Sequence, residues 1–390
     1  MDPKFVNVLI LGFGFMFLFT AFQTMGNIEK TVLDSIHEDD PTFTGDGYIS
    51  LAIIYAVFAI CNWIAPPVIS LTGPRCAMLI GAVAYCMFFG NLFVFFQFQG
   101  KSHIDEATRT LVFSVLIGVG ILGFFFLTAL RPLEDTRVVN GNDEADDELD
   151  NATSGVVAIF KSSVALFLTK DMLLLSLTFF YTGLELSFFS GVYSPSIGFT
   201  NAIGESAKQL VGLSGIFIGV GEVSGGVAFG LMGARTAKKI GRDPIVVLGF
   251  VIHMIAFFLI FLNLPNLANL GDTSDVAFLN PPLPSVALLC SFLLGFGDSC
   301  FNTQIYSMLG SVFKKNSTEA FSLFKFTQSV AAALSFVYST HLGLRVQMAI
   351  LVVTGTIGTV AFYTVEWAAK RAQMTKDEMI KSSDSNITPS

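Results

Sequence analysis

The sequence predicts an all-α polytopic membrane protein, because it is strongly apolar and its apolar windows have the length of membrane-spanning helices. Of its 390 residues, 53% are hydrophobic and 13% are charged, and the mean hydropathy is +0.67. Soluble domains carry about 25% charged residues. A helix needs about 20 apolar residues to cross a bilayer, and helices satisfy their own backbone hydrogen bonds in lipid.

Ten such windows follow one another along the chain. They cover residues 5–25, 48–70, 76–98, 109–130, 171–193, 210–233, 244–263, 285–309, 319–341 and 344–366. We therefore expect about ten spans, four before an acidic segment and six after it. The expected domains are an N-terminal helical half at 1–130, a cytosolic acidic linker at 131–170, a C-terminal helical half at 171–366 and a cytosolic tail at 367–390.

The basic residues predict the orientation of these spans. Pairs such as Lys238-Lys239 and Lys314-Lys315 fall on the same side as the N-terminus, and the opposite loops hold few Lys or Arg. Because cytosolic loops are enriched in basic residues, both termini are expected in the cytosol. The sequon at Asn316 would then be unglycosylated. The sequence does not distinguish a plasma membrane from an endolysosomal membrane.

The acidic linker has two interpretations. Its centre, residues 140–155, cannot bury apolar surface and is expected to be a solvated connection. Residues 156–170 are more apolar, and an amphipathic helix on the membrane surface is the alternative for that part.

An internal parallel repeat is suggested by two short basic turns. Gly73-Pro74-Arg75 follows the second window and Gly233-Ala234-Arg235 follows the sixth, at an offset of 160 residues. The same offset places Asn62 opposite Glu222. In the first and fifth windows, a similar match places Gln23 opposite Glu185. Internal repeats of this kind are typical of transporters whose solute sites lie between the two repeats.

The chain resembles the Unc-93-like branch of the major facilitator superfamily. The segment from Gly233 to Arg242, which includes Arg235 and Gly241, is similar to the superfamily's loop motif, and Gly73-Pro74-Arg75 is a fragment of it. More specific similarity lies in the stretches FMFLFTAFQTMGN, YTGLELSFFSGVY, GLSGIFIGVGE, CSFLLGFGDSCFNTQ, FKFTQS and TVEW. This resemblance implies a major-facilitator-like helical bundle with six spans in each half.

The predicted first half departs from that pattern, because it has four spans. Its third window begins as the family's third span does and ends as the fifth does, with the junction at Met87 and Phe88. Loss of two spans and their loops, about 60 residues, accounts for this. Because an even number of spans is lost, every later span keeps its direction.

Four ionisable side chains lie near the centres of predicted spans: Glu185, Glu222, Asp298 and Lys325. Placing a charge at mid-membrane costs roughly 2.5–3.5 kcal/mol on insertion scales, so such residues have partners or line a wet cavity. Glu222 also lies among small residues that permit close helix packing. These glycines are Gly215, Gly219, Gly221, Gly225, Gly226 and Gly230.

The polar residues allow two roles. In a facilitator-like arrangement, Gln23, Asn62, Glu185 and Glu222 would border a central cavity, and Glu222 with Glu185 would exchange a proton. The alternative is a structural network that fastens the helices together. Lys325 is expected to pair with Asp298 or Glu222, as a lock or as a gate. His253 is expected to be a hydrogen-bonded helix contact.

The resemblance and the polar residues together predict secondary transport of an unidentified small solute by alternating access, coupled to H⁺. The rival hypothesis is a non-transporting regulatory or trafficking partner of a channel or receptor, which the resemblance also implies. The lipid bilayer is the expected surrounding. No cofactor, metal site, nucleic-acid-binding patch or nucleophile–base pair is predicted, so an enzyme is not expected.

Overall fold

The computed structural model describes residues 3–85, 104–130, 158–204, 206–231 and 241–385, and these residues are predominantly helical. In chain order the α-helices are α1 Pro3–Asp39, α2 Gly47–Tyr85, α3 Glu106–Thr128, α4 Ala158–Phe167, α5 Lys170–Ser187, α6 Ser194–Gly198, α7 Ala207–Leu231, α8 Asp243–Asn263, α9 Pro284–Val312, α10 Ser317–Ser339 and α11 Leu344–Ser385.

Eight stretches of the described residues are long and apolar enough to span a membrane. They are Gly47–Pro67, Glu106–Thr128, Lys170–Gly198, Ala207–Phe229, Asp243–Asn263, Pro284–Val312, Lys314–Ser339 and Leu344–Thr375. Each coincides with one of the ten predicted windows, which confirms the all-α polytopic class. Of the other two windows, 5–25 lies within α1, and 76–98 begins within α2 and then leaves the described residues.

The predicted turn at Gly73-Pro74-Arg75 is wrong, because α2 is one helix of 39 residues that runs through it. At 1.5 Å per residue this helix is about 58 Å long, and the hydrocarbon core is about 30 Å thick. The apolar sequence continues on both sides of the turn, and Pro74 alone removes one helical hydrogen bond, which bends a helix without having to end it. The second turn, with Gly233 and Arg235, lies outside the described residues, as does the acidic segment 140–155.

A π-helical segment, Phe188–Tyr193, joins α5 to α6 without a break in the chain's helical path. Such wide turns are frequent at functional sites. Here the segment faces α1, and a Cβ on Gly26 would lie 3.2 Å from the Ser190 carbonyl oxygen. The absence of a side chain at Gly26 therefore allows backbone contact between helices far apart in sequence.

The helices form a first group, α1–α3, and a second group, α5–α11. In the first group α1 packs on α3, and in the second α7 and α8 pack on α9 while α10 and α11 pack on α5. Between the groups, α2 lies along α10, and α1 meets the π-helical segment and α6. The two groups meet around a central cavity.

The short helix α4 lies at the junction of the two groups. Phe160 and Phe167 of α4 make edge-to-face contacts with Trp63 of α2, with ring centroids 5.9 and 6.1 Å apart. Asn316, which precedes α10, donates a hydrogen bond to Ser162 at 3.2 Å. Residues 158–167, for which a membrane-surface helix was the alternative, are therefore helical and contact both groups, and their position on a membrane surface stays a prediction.

Candidate functional site

The cavity between the two helix groups has a volume of about 520 Å³. Five of the six side chains predicted to form the solute and proton pathway line it: Gln23, Asn62, Glu222, Asp298 and Lys325. They come from α1, α2, α7, α9 and α10, so residues up to 302 positions apart in the chain meet here. The arrangement gives a membrane-embedded chamber whose wall carries two acids, one base and several amides.

Glu222 is held in this wall by exceptionally close packing of α7 against α9. A Cβ added to Gly221 would lie 2.2 Å from the Phe292 carbonyl oxygen, and one on Gly295 would lie 2.0 Å from the Ile218 carbonyl oxygen. The predicted small-residue packing around Glu222 is thus present in the structure. Among the described residues, no side chain or backbone group forms a hydrogen bond or an ion pair with the Glu222 carboxyl.

Asp298 faces the same cavity from α9 and is 8% exposed. One of its oxygens accepts a hydrogen bond from the Asn302 amide nitrogen at 2.6 Å, while the Asn302 amide oxygen has no partner among the described residues. The carboxyl groups of Glu185, Glu222 and Asp298 are close enough to interact electrostatically. Holding three acids together in a low dielectric favours proton binding or a compensating positive charge.

The expected ion pair of Lys325 with Asp298 or Glu222 is wrong. The Lys325 ammonium instead donates to the Gln328 amide oxygen at 2.8 Å and lies over the rings of Phe324 and Tyr306, 4.7 and 5.6 Å from their centroids. A neutral acceptor and two aromatic faces therefore satisfy this charge locally. Lys325 remains close enough to Asp298 for a weaker attraction.

Glu185 does not border the cavity, which corrects its predicted position. It is fully buried, with one oxygen 2.9 Å from Nε2 of His253 on α8, and Leu186 faces the cavity in its place. Successive residues of a helix point about 100° apart, and in α5 this rotation directs Leu186 to the chamber and Glu185 towards α8. The pairing of Glu185 with a histidine on another helix could not be read from linear spacing.

His253 is the hydrogen-bonded helix contact that the sequence predicts. Its Nδ1 lies 2.6 Å from the Tyr181 hydroxyl, and its Nε2 lies 3.2 Å from the Leu294 carbonyl oxygen as well as against Glu185. One neutral tautomer fits the two hydrogen bonds: Nε2–H donates to the Leu294 carbonyl oxygen, and Nδ1 accepts the proton of Tyr181. The described residues contain no group of three side chains that could hold a metal ion.

Sequence reasoning missed the aromatic and hydroxyl part of the wall. Tyr55, Phe58, Ser299, Thr303 and Tyr306 also line the cavity. In a chain with 41 Phe and 8 Tyr, no spacing separates these rings from those that face lipid. The one available signal was the position of Tyr306 four residues after Asn302, on the same helical face.

The two helix groups are in contact at the end where α1 finishes and α7 begins. Tyr48 of α2 donates a hydrogen bond to the Asn269 carbonyl oxygen at 2.7 Å, which joins the two helix groups. Beside this contact Lys30 pairs with Asp34 at 2.7 Å. Trp63 and Phe326 connect the groups nearer the other end, with ring centroids 4.7 Å apart.

Of the predicted loop segment from Gly233 to Arg242, the structure describes two residues, Gly241 and Arg242. Gly241 has φ of 80°, a left-handed conformation that favours glycine. Arg242 pairs with Glu366 at 2.8 Å and donates to the Ser307 carbonyl oxygen at 3.0 Å, so it ties α8 to α9 and α11. Its visible role is to hold helix ends together.

Comparison with known proteins identifies the family. The family model described as "Ion channel regulatory protein UNC-93" matches residues 42–89 and 83–363. The two matched segments meet at 83–89, where the junction of Met87 and Phe88 was predicted. Such a split is expected where family residues are missing from this chain.

Individual relatives of the chain indicate the same family. UNC93-like protein MFSD11 of Xenopus laevis is 39% identical over 437 aligned positions, covering 93% of this chain and 96% of the relative. That alignment is longer than the 390 residues present here, so the relative has positions without a counterpart in this chain. UNC93-like protein 3 of Arabidopsis thaliana is 23% identical, with 89% of this chain and 83% of the relative covered.

Among solved structures, one from a study of substrate recognition in proton dependent oligopeptide transporters covers 96% of both chains, with 10% identity and a TM-score of 0.41. That score is too low to support an argument, so the family assignment depends on the sequence matches. The family model covers most of the chain, and the Xenopus laevis relative aligns over nearly its whole length. The chain belongs to the UNC-93 family.

Proposed function

We propose that the protein is a secondary transporter that moves a small solute by alternating access, with Glu222 exchanging a proton. The observation that carries this proposal is the polar cavity of about 520 Å³ between the two helix groups, into which Glu222 projects without a partner among the described residues. A structural acid would be expected to have a fixed hydrogen-bond donor. An acid that must bind and release a proton needs instead an accessible oxygen.

The contacts between the helix groups support the alternating part of the proposal. The groups are joined by the hydrogen bond from Tyr48 to Asn269 and by the ring contact of Trp63 with Phe326. Each of these contacts is local and polar or aromatic, so it can be exchanged for another at modest cost. We propose that the α1–α3 group rocks against the α5–α11 group and exposes Glu222 to each side in turn.

Glu185 and His253 are proposed to support Glu222 from behind the cavity wall. The carboxyl of Glu185 interacts electrostatically with that of Glu222, and His253 lies 2.9 Å from Glu185. A proton shared within this buried group would change the charge that Glu222 experiences. The orientation, with both termini in the cytosol, remains part of the proposal.

The test is proton-linked flux in liposomes that contain the purified full chain and a trapped pH-sensitive dye. Amino acids, amines, sugars and carboxylates are added outside one class at a time under an imposed pH gradient. At least one class should accelerate dissipation of the gradient, and Glu222→Gln should abolish the acceleration. Asp275→Asn, in an exposed loop, is the matched control and should behave as the unmodified protein. Solute-driven flux that persists in Glu222→Gln would refute the assigned role.

A second candidate function is regulation of an ion channel, because the matching family model carries that description. In that case the cavity acids would be structural, and Glu222→Gln would alter co-purification or channel current without any solute flux to lose. Measuring current from a panel of co-expressed ion channels with and without the chain distinguishes the two functions. A current change that Glu222→Gln leaves intact would favour a regulatory surface outside the cavity.

A further inference from the structure

The hydrogen-bond donors and acceptors of the cavity wall are unequally satisfied. The Asn62 amide nitrogen donates to Ser329 at 3.4 Å, the Asn302 amide nitrogen to Asp298 at 2.6 Å, and the Lys325 ammonium to Gln328 at 2.8 Å. Each of these three donor groups therefore already makes one hydrogen bond within the protein. Gln23 contributes one further amide that can act either way.

Several hydrogen-bond acceptors of the cavity wall, by contrast, have no donor among the described residues. Within the described part of the chain, the Glu222 carboxyl receives no hydrogen bond, and the Asn302 amide oxygen has no partner. Asp298 accepts a single amide and keeps a second oxygen. A solute that completes this wall must bring donors, because unpaired acceptors in a low dielectric cost free energy until they are matched.

The charges of the cavity wall also favour a ligand that carries hydrogen-bond donors. The wall holds the two carboxyl groups of Glu222 and Asp298 against the single ammonium of Lys325. That ammonium is already bonded to Gln328 and lies over two aromatic rings. One carboxylate therefore remains without a compensating charge in the wall, and a cation is the complementary ligand.

The apolar part of the wall completes the description of the solute. Tyr55 and Phe58 of α2 present aromatic surface on the side of the cavity that Asn62 also lines. Aromatic faces accommodate an apolar body and attract a nearby ammonium. A cavity with acids on α7 and α9 and rings on α2 fits a molecule with one charged end and one apolar end.

We propose that the cavity binds an organic amine, with its ammonium between Glu222 and Asp298 and its apolar part against Tyr55 and Phe58. This inference depends on the proposed function only in that both assign the cavity to a solute. Binding of an amine can be measured without any transport.

The experiment compares three probes that share one ring and differ in charge: benzylamine, benzyl alcohol and benzoate. The purified full chain is heated in detergent with each probe, and the unfolding midpoint is followed against probe concentration, since a ligand of the folded state raises it by mass action. We expect a saturable rise with benzylamine, a smaller one with benzyl alcohol and the smallest with benzoate. Glu222→Gln should weaken benzylamine at least tenfold, and Asp275→Asn should not change it.

Lys325→Gln provides a second variant, and its effect depends on whether the ligand is positively or negatively charged. If the site takes amines, removing this ammonium leaves benzylamine binding unchanged or stronger. If the site takes anions, the same change abolishes a stronger binding of benzoate, and the proposal is overturned. Equal benzylamine binding by Glu222→Gln and the unmodified protein would overturn it as well.

Failure of the two proposals can be told apart. Benzylamine binding without any flux in liposomes supports the amine site and refutes the transporter. Flux driven by a carboxylate or a sugar, with no binding of benzylamine, supports the transporter and refutes the amine site.

Discussion

The substitution Gly221→Ala tests whether close contact of α7 and α9 holds Glu222 in place. The added Cβ would lie 2.2 Å from the Phe292 carbonyl oxygen and 2.7 Å from the Phe296 backbone nitrogen. Both are backbone atoms, so no side-chain rotation relieves the contact, and the helices must separate. Separation would move the Glu222 carboxyl relative to Asp298 across the cavity.

The loss of stability expected for Gly221→Ala follows from these two distances. Overpacking costs typically 1–3 kcal/mol, and a contact with two backbone atoms belongs at the upper end, about 3 kcal/mol. Gly219→Ala is the matched control, because it lies one half-turn away on α7 and its Cβ would meet no atom within 4 Å. Ala also favours the helix over Gly by up to about 1 kcal/mol, so this control should be neutral or stabilising.

The assay is thermal unfolding of both purified variants in the same detergent, followed by proton-linked flux in liposomes. Gly221→Ala should lower the unfolding midpoint by several degrees and reduce flux, whereas Gly219→Ala should retain both. If the two variants unfold at the same temperature, the close approach of α7 and α9 does not stabilise the bundle, and the packing argument fails.

Three further predictions concern two single contacts and the orientation. Arg242→Ala should cost about 1–3 kcal/mol, because the buried Glu366 then keeps only the Lys370 ammonium, 3.5 Å away; the double variant with Glu366→Gln should recover much of the unfolding midpoint, and no recovery would contradict the pairing. His253→Leu should lower the midpoint, because a fully buried acid loses its neighbour, and an unchanged midpoint would exclude a stabilising contact. A membrane-impermeant thiol reagent applied to whole cells should label Asp275→Cys and reach Asn316→Cys only after permeabilisation; the reverse pattern would invert the proposed orientation.

Helix type and the positions of eight spans were predictable, because a span must have the length of the hydrocarbon core and must satisfy its own backbone hydrogen bonds. The eight confirmed spans depend on nothing but local hydropathy. The continuation of α2 through Pro74 was not predictable in this way, since the sequence around Pro74 is apolar on both sides and composition excludes neither a turn nor a continuous helix.

The membership of the cavity was partly predictable for a different reason. A charged or amide side chain at mid-span is stable only beside another polar group or in a wet cavity. The sequence could therefore predict that Gln23, Asn62, Glu222 and Asp298 lie around one cavity. Their partners could not be predicted. Which acceptor takes the ammonium of Lys325 depends on side-chain reach of a few Å across three helices.

The same limit explains Glu185. Its burial was predictable from the cost of an exposed charge in lipid, but the direction of its side chain depends on the rotation of α5 about its own axis. One position along the chain, from Glu185 to Leu186, changes whether a residue faces His253 or the cavity.

The most direct test of the central claim is the effect of Glu222→Gln on solute-stimulated proton flux in liposomes with an imposed pH gradient. The substitution removes the exchangeable proton and keeps the size of the side chain, and Asp275→Asn serves as the control. The account predicts full flux in the control and flux at the level of empty liposomes in Glu222→Gln. Flux in Glu222→Gln equal to that of the control would contradict it.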